Sequence, residues 1–443
     1  LIGNSASAGG YAFYTGTGVY KSTDGGRSWQ RTALDDDTPT FDNVAEIVNA
    51  LATDPSNQAQ DEVYAAVYGV VYRSTSGAAG WTPVLFAEDN DFSPYTDVAV
   101  APGGVVYATM GGGGGTDGLW RSPDGVSWTE ITPPGWPPVF SRTVVAVAPS
   151  DPNVIYFLAH TPGGGQEASL WKYTYVSGDG SGAGGTWEDR SANLPADDDF
   201  EDDFPGLDVG GLDLQGGYNM VVDVRPDDPD VVFVGGTNLY RSTDGFTSEQ
   251  NTAWIAGYHP TSFLYPDHHP DQHALVFHPS DPRRAFTGSD GGVHVTADVM
   301  GNRTPDTPVL WVSLNNGYLT TQFYSVAVDN STPGDQTIVG GMQDNGTFFT
   351  NKRSGKDPWV GDLLGGDGAF ADIADARAYY YVSAQQAQIY RLRLDAEGTL
   401  LTYARVDPPE AQFGAALFIT PFMLDPVDTD PAVLAAMGAG PPR

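Results

Sequence analysis

The chain has no cysteine among its 443 residues, which excludes disulfides, thiolate zinc sites and a cysteine nucleophile. Basic residues are nearly as scarce. Only 17 Arg and 4 Lys face 46 Asp and 10 Glu, for a formal charge of −35, and such a surface repels nucleic acid and anionic membranes. No apolar run approaches the ~18–20 residues that span a bilayer, so direct membrane insertion is not expected. The start, Leu1-Ile2-Gly3-Asn4-Ser5, lacks the basic and apolar regions of a signal peptide, so an exported chain has already lost its signal. Helical periodicity is almost absent. The excess of Asp over Glu suits turns and oxygen-ligand cation sites, which makes calcium or another divalent cation an expected ligand. It also suits solubility in high salt.

What is present is a recurring phrase: Ser22-Thr23-Asp24-Gly25-Gly26-Arg27-Ser28-Trp29, then Ser122-Pro123-Asp124-Gly125-Val126-Ser127-Trp128, then Ser242-Thr243-Asp244-Gly245. Each copy follows an aromatic-basic pair, Tyr20-Lys21, Trp120-Arg121 or Tyr240-Arg241. Weaker copies run from Ser74 to Trp81, where Ser76 replaces the aspartate, and from Ser177 to Trp187. The carboxylate accepts backbone N–H groups in a tight turn, glycine supplies positive φ, and the serine hydroxyl ties the turn shut. The tryptophan supplies an apolar anchor. Turn chemistry accounts for all of these residues, so they mark the fold.

A second phrase is an apolar strand ending at Pro55, Pro102, Pro149, Pro226, Pro279 or Pro426, spaced 47, 47, 77, 53 and 147 residues apart. The last interval is three periods of 49, filled by Val326-Ala327-Val328-Asp329 and Phe370-Ala371-Asp372-Ile373. Four short strands per ~45–50 residues, with turns between them, describe a propeller blade. The expectation is all-β: a single β-propeller over residues 1–443, with about eight four-stranded blades and seven as the alternative. Tyr11–Thr15 and Val19–Ser22 read as later strands of a blade whose first strand Leu417–Asp425 would supply, while Ala432–Met437 also reads as a second strand, so that either the blade count shifts by one or the chain is part of a longer protein.

Three stretches depart from the blade pattern, of which the glycine run Gly111–Gly115 reads as a flexible strand connection. Residues 178–217 form an acidic, glycine-rich insertion that includes Asp199 and Asp202, readable as a solvated loop or a cation-binding loop. Residues 256–272 form a linker rich in His, Pro and Asp. Six of the seven histidines fall within 36 positions, and Asp267-His268-His269-Pro270-Asp271-Gln272-His273 brings imidazole and carboxylate together. That mixture suits a metal site through Asp267 and Asp271, ligand contact through His268, His269 and His273, or hydrogen bonds within a packed loop. In a four-stranded meander, the loop into the first strand and the loop between the second and third share one rim. That upper rim collects the linker, the insertion, Asp290 in Gly288–Gly292, Gln343-Asp344-Asn345-Gly346, and Asp367 in Gly365–Gly368. Asp290, Asp344 and Asp367 are therefore candidates for acid-base pairs, cation ligands or sugar-hydroxyl acceptors, with ordinary turn roles as the alternative.

The Ser-x-Asp-x-Gly-x-Ser-Trp pattern resembles the Asp-box, or BNR, repeat of sialidases, xyloglucanase-type glycoside hydrolases, sortilin-like receptors and photosystem assembly factors. Those families share β-propellers and no single activity. Asp271–Leu275, Gly288–Val293 and Gln343–Thr347 resemble secreted bacterial proteins described as glycosyl-hydrolase-like. The resemblance implies an extracellular, periplasmic or cell-surface protein. No Phe-Arg-Ile-Pro stretch of the sialidase type occurs, so sialidase activity is not expected; one ring also supplies half of a two-propeller xyloglucanase cleft. The expected function is recognition of a glycan or protein ligand on the upper rim, through His268, His269, His273, Gln343 and Asn345. The alternatives are a glycoside hydrolase acting through paired carboxylates and a structural subunit of a larger cell-surface or membrane-associated assembly.

Overall fold

A computed structural model describes residues 2–3, 16–34, 43–57, 59–87, 93–163, 167–196, 210–259, 263–316, 322–329, 334–352, 359–374, 377–408 and 416–424. Among them there is no α-helix; eight antiparallel sheets follow one another along the chain, and a ninth, a two-stranded ribbon of Tyr258–His259 and Phe263–Leu264, lies between the fifth and sixth of these. The first has three strands, Ile2–Gly3, Val19–Lys21 and Gln30–Arg31. The other seven have four strands each, every strand pairing with the next in sequence. This succession of meanders is that of β-propeller blades, numbered here 1 to 8.

The chain divides into two compact units, residues 1–316 and 317–443. The first holds blades 1 to 6; blades 4, 5 and 6 begin at Thr143–Val147, Val221–Val224 and Gln272–His278. Within it the first strand of each of blades 2 to 5 packs beside the first strand of the next blade. The second strands of blades 2 to 5, such as Val63–Val67 and Val154–His160, lie mid-sheet and are buried along their whole length. Neighbouring blades cover both faces of such a strand, so it reads as a continuous apolar run rather than an alternating one.

The cores accordingly lie between blades. Tyr64, Val71, Val98 and Met110 pack blade 2 against blade 3; Tyr156, Leu158, Val232 and Phe246 pack blade 4 against blade 5. Phe233, Leu275, Ala285 and the fully buried Trp311 join blades 5 and 6. In the second unit, Val339, Phe349, Val382 and Leu392 join blades 7 and 8.

The repeated turn has the expected chemistry. Ser22, Ser122 and Ser242 donate to Asp24, Asp124 and Asp244 at 2.8, 3.1 and 2.8 Å. Each carboxylate also accepts a hydroxyl from the far side of the turn: Ser28 at 2.7 Å, Ser127 at 2.9 Å and Ser248 at 2.7 Å. Gly25, Gly125 and Gly245 have φ of 74°, 70° and 63°, the left-handed region that favours glycine. The tryptophans diverge. Trp128 packs in the core between blades 2 and 3, whereas Trp29 is 40% exposed and donates to Gly26 of its own turn. A further copy, hidden in sequence, closes blade 6: Asp298 N–H donates to Thr296 Oγ1, and Asp298 Oδ1 accepts Met300 N–H, both at 3.1 Å.

Tyr11–Thr15 and Ala432–Met437 lie outside the described residues; Ile2–Gly3 is the strand that pairs with Val19–Lys21. Residues 416–424 are described and form no strand. The stretch 178–217 contains the fourth strand of blade 4, Gly185–Asp189. Asp199 and Asp202 lie outside the described residues.

Candidate functional site

The upper rim of the first unit gathers loops from blades 4, 5 and 6. Before blade 5 the chain makes a tight turn at Gln215–Gly217, where Gly216 and Gly217 take φ of 67° and 93°. Gly217 sits against His160 and Arg142, 3.3 to 3.8 Å from where a Cβ would stand. Arg142 braces the turn by donating Nη1 to the carbonyls of Gly217 and Tyr218, 2.9 Å each. Tyr218 is thereby aimed at blade 6.

Blade 6 supplies Asp290, in the loop between Asp281–Ser289 and Gly292–Thr296. Its carboxylate accepts from the Tyr218 hydroxyl at 3.1 and 3.2 Å and from His273 Nε2 at 2.6 Å. The Tyr218 and His273 rings meet edge to face, 4.9 Å between centroids. The Asp290 side chain is 11% exposed and that of His273 29%. With Nε2 committed, His273 keeps Nδ1 without a protein partner among the described residues. Gly291 is required by close approach, since a Cβ there would stand 2.2 Å from the His269 ring.

Asp271 is buried and left-handed, φ 62°, a conformation aspartate tolerates better than most residues. Its N–H donates to Thr237 O, and its carbonyl accepts Asp290 N–H at 3.3 Å. The carboxylate accepts the Asn219 amide at 2.7 Å and the Gln215 amide at 3.0 Å. Oxygens of Asp271 and Asp290 lie within 4.8 Å of one another. Of the predicted cation ligands, Asp271 is thus part of this constellation. Asp267 is exposed, with φ 54°, four residues earlier in the loop.

The histidines separate by role. His268 is buried: Nδ1 donates to His269 O at 2.9 Å and Nε2 accepts from Thr287 at 2.8 Å. It stacks on buried His294 at 4.5 Å and meets the Trp311 edge at 4.7 Å. Both ring nitrogens are used inside the loop, so His268 supports the rim instead of facing a ligand. Desolvation holds it well below the usual range for histidine and His294 at about 4. His269 is half-buried over Gly291, and His273 is the histidine at the surface of the cluster.

Asp344 and Asp367 belong to the second unit. Asp344, with φ 60°, donates its N–H to Asp367 Oδ1 at 3.0 Å, and Asp367 N–H donates to Gln385 at 3.2 Å. Asn345 spends its amide on Gln343 O at 3.0 Å, while exposed Gln343 accepts from Tyr324. The Asp344–Asp367 bond pins the glycine-rich loop within blade 7 to the one that leads from blade 7 into blade 8.

Sequence reasoning missed Tyr218, Arg142, Gln215 and Asn219. The Gly216-Gly217 pair before a strand is the one local signal, and it marks a turn without naming its partners. Also unforeseen are Asp97 and Asp223 on first strands, where desolvation pushes the carboxyls up to about 6 and about 7.

No family model and no curated protein matches this sequence. Among solved structures, the chain is similar to a GH74 enzyme of Niastella koreensis, with 16% identity and a TM-score of 0.39 over 94% of this chain and 56% of that one. An ancestral GH74 enzyme is 16% identical with a TM-score of 0.45, over 94% and 61%. YCF48 from Cyanidioschyzon merolae is 12% identical with a TM-score of 0.36, over 76% and 92%. The chain thus spans about three fifths of the length of the two GH74 proteins. Likeness of this degree bears on neither activity nor ligand, and the β-propeller reading rests on the strand topology. Among the described residues no helix is long and apolar enough to cross a membrane.

Proposed function

We propose that the chain is an exported recognition module of the Asp-box type that binds a glycan on the upper rim of its first unit. One observation carries the reading: Tyr218 and His273 converge on Asp290 while the partly exposed His273 keeps Nδ1 without a protein partner among the described residues. An aromatic edge, a carboxylate and an uncommitted imidazole nitrogen side by side suit hydroxyl groups on a ring that has both apolar and polar faces. A glycan array followed by calorimetry tests it. Native protein is expected to bind a defined oligosaccharide, and His273→Ala and Tyr218→Phe are expected to weaken binding roughly tenfold each. Retention of full affinity by both variants would remove the site from this role.

A second reading, a glycoside hydrolase, is favoured by the spacing of Asp271 and Asp290, whose oxygens lie within 4.8 Å. Retaining glycosidases hold their two carboxyl groups ~5–5.5 Å apart. The same two carboxylates would be the first unit's ligands for calcium or another divalent cation. Turnover of chromogenic glycosides, with and without chelator, separates these cases. Hydrolysis lost in Asp290→Asn makes the rim catalytic; binding without turnover makes it a recognition surface.

A further inference from the structure

Arg142 stands one residue before the first strand of blade 4 and is half-buried. Its two bonds to the carbonyls of Gly217 and Tyr218 both use Nη1. The Nε–H and the Nη2 group have no protein acceptor among the described residues. The carboxylate acting on Arg142 is that of Asp97, with the Tyr95 hydroxyl also near. Asp97 is itself engaged by the N–H groups of Val98 at 2.8 Å and Val145 at 2.9 Å. No anion is hydrogen-bonded to the guanidinium among the described residues, and a partly buried cation gains from a directly bonded one. With Nη1 held, the open side of the guanidinium is the Nε–Nη2 edge, and that edge matches the two oxygens of a carboxylate.

We propose that Arg142 receives the carboxylate of an acidic sugar, so that the ligand of this rim is a uronate-bearing glycan; this rests on the glycan reading above. Tyr218 joins the two contact points. Its carbonyl binds Arg142 and its hydroxyl binds Asp290, so a ligand touching Arg142 and His273 spans about one tyrosine side chain, the reach of one or two sugar rings. The overall charge of −35 opposes anions at long range. At about 0.15 M salt that field is screened beyond ~8 Å, while a contact ion pair persists. Selection of the carboxylate therefore comes from the oriented fork and not from the field.

The test is calorimetry on the full chain with trigalacturonate and its carboxyl-reduced counterpart. The acidic trimer is expected to bind roughly ten- to hundredfold more tightly. Arg142→Gln also unbraces the Tyr218 turn and so lowers affinity for both trimers, but it is expected to cost the acidic trimer roughly tenfold more than the neutral one and so abolish the preference, while Arg142→Lys, lacking the fork, keeps only part of it. Equal affinity of the native protein for both trimers overturns the proposal. So does equal loss of both in Arg142→Gln, which would make Arg142 a brace for the Tyr218 turn and nothing more. A second measurement keeps the two readings apart: the Arg142 Nε–H resonance, assigned by its loss in Arg142→Lys, is followed during titration with sodium glucuronate or glucose. A shift with glucuronate alone upholds the carboxylate site even if neither trimer binds, in which case the glycan reading is what fails. No shift overturns the site itself.

Discussion

On the lower rim, Asp24, Asp124 and Asp244 accept bonds from groups no more than seven residues away in the chain. On the upper rim, Asp271 and Asp290 accept theirs from side chains 17 to 72 residues away, on blades 5 and 6. The first kind of carboxylate is satisfied as soon as its hairpin closes. The second is completed only when two blades dock, since Asp271 and Asp290 both take bonds from residues 215–219. A turn that completes itself can be copied from blade to blade without regard to neighbours, which is why it recurs. A carboxylate completed across blades is unique to one place and can be given to a ligand.

If that contrast holds, Asp271→Ala has the largest effect. It leaves the Asn219 amide, in a fully buried residue, without its acceptor and frees Gln215. A loss of about 2–3 kcal/mol is expected, read by urea denaturation, together with loss of ligand binding. Asp244→Ala, on the lower rim, is expected to cost about 1–2 kcal/mol and to leave ligand affinity unchanged. An affinity change in Asp244→Ala would show that the rims are coupled and break the comparison. Smaller still in stability is Asp290→Asn. The amide keeps one acceptor for Tyr218 or His273, so the fold is expected to lose no more than about 1 kcal/mol while affinity falls roughly tenfold.

The same contrast decides what was legible beforehand. The strand count, the blade repeat and the chemistry of Asp24, Asp124 and Asp244 follow from neighbouring residues, so a linear reading reaches them. The turn at Thr296-Ala297-Asp298 was hidden only because threonine replaces serine and Gly301 is displaced from its usual place. The Asp290–His273 pair was accessible because both ends of one hairpin in blade 6 carry it. Tyr218 and Arg142 were not, because their partners lie on other blades and nothing in the local pattern names them. For His268 the sequence leaves ligand contact and packed-loop hydrogen bonds both open, and its bonds to His269 O and Thr287 and its packing against Trp311 and His294 follow the second.

Acidification separates the rims without mutation. His268 and His294 are depressed from the usual 6.5, His294 to about 4, by desolvation first and by neighbouring histidines second. A histidine depressed in the fold contributes stability that is complete above 6.5 and is lost as pH falls towards the folded value. Asp24 and Asp124 are held near 2, Asp24 chiefly by the Ser28 hydroxyl and Asp124 by the Ser127 N–H. Their contribution is complete above 3.8 and is lost only between there and about 2. Asp97 and Asp223 act in the opposite sense. Raised by desolvation to about 6 and about 7, they take up protons in the fold before the unfolded chain does, and so favour the fold as pH drops from 7 towards 4. Global denaturation therefore mixes two opposed terms between pH 7 and 4, and hydrogen exchange resolved by segment does not. Corrected for intrinsic rate, exchange in residues 267–273 and 285–296 is expected to rise between pH 6.5 and 4.5, while the turns at 22–29 and 122–128 stay protected until below pH 4. The His294→Gln variant is expected to flatten the rise in blade 6. Equal loosening of both rims over that range would mean that the buried histidine pair does not support the upper rim, and that its carboxylates are held as locally as those below.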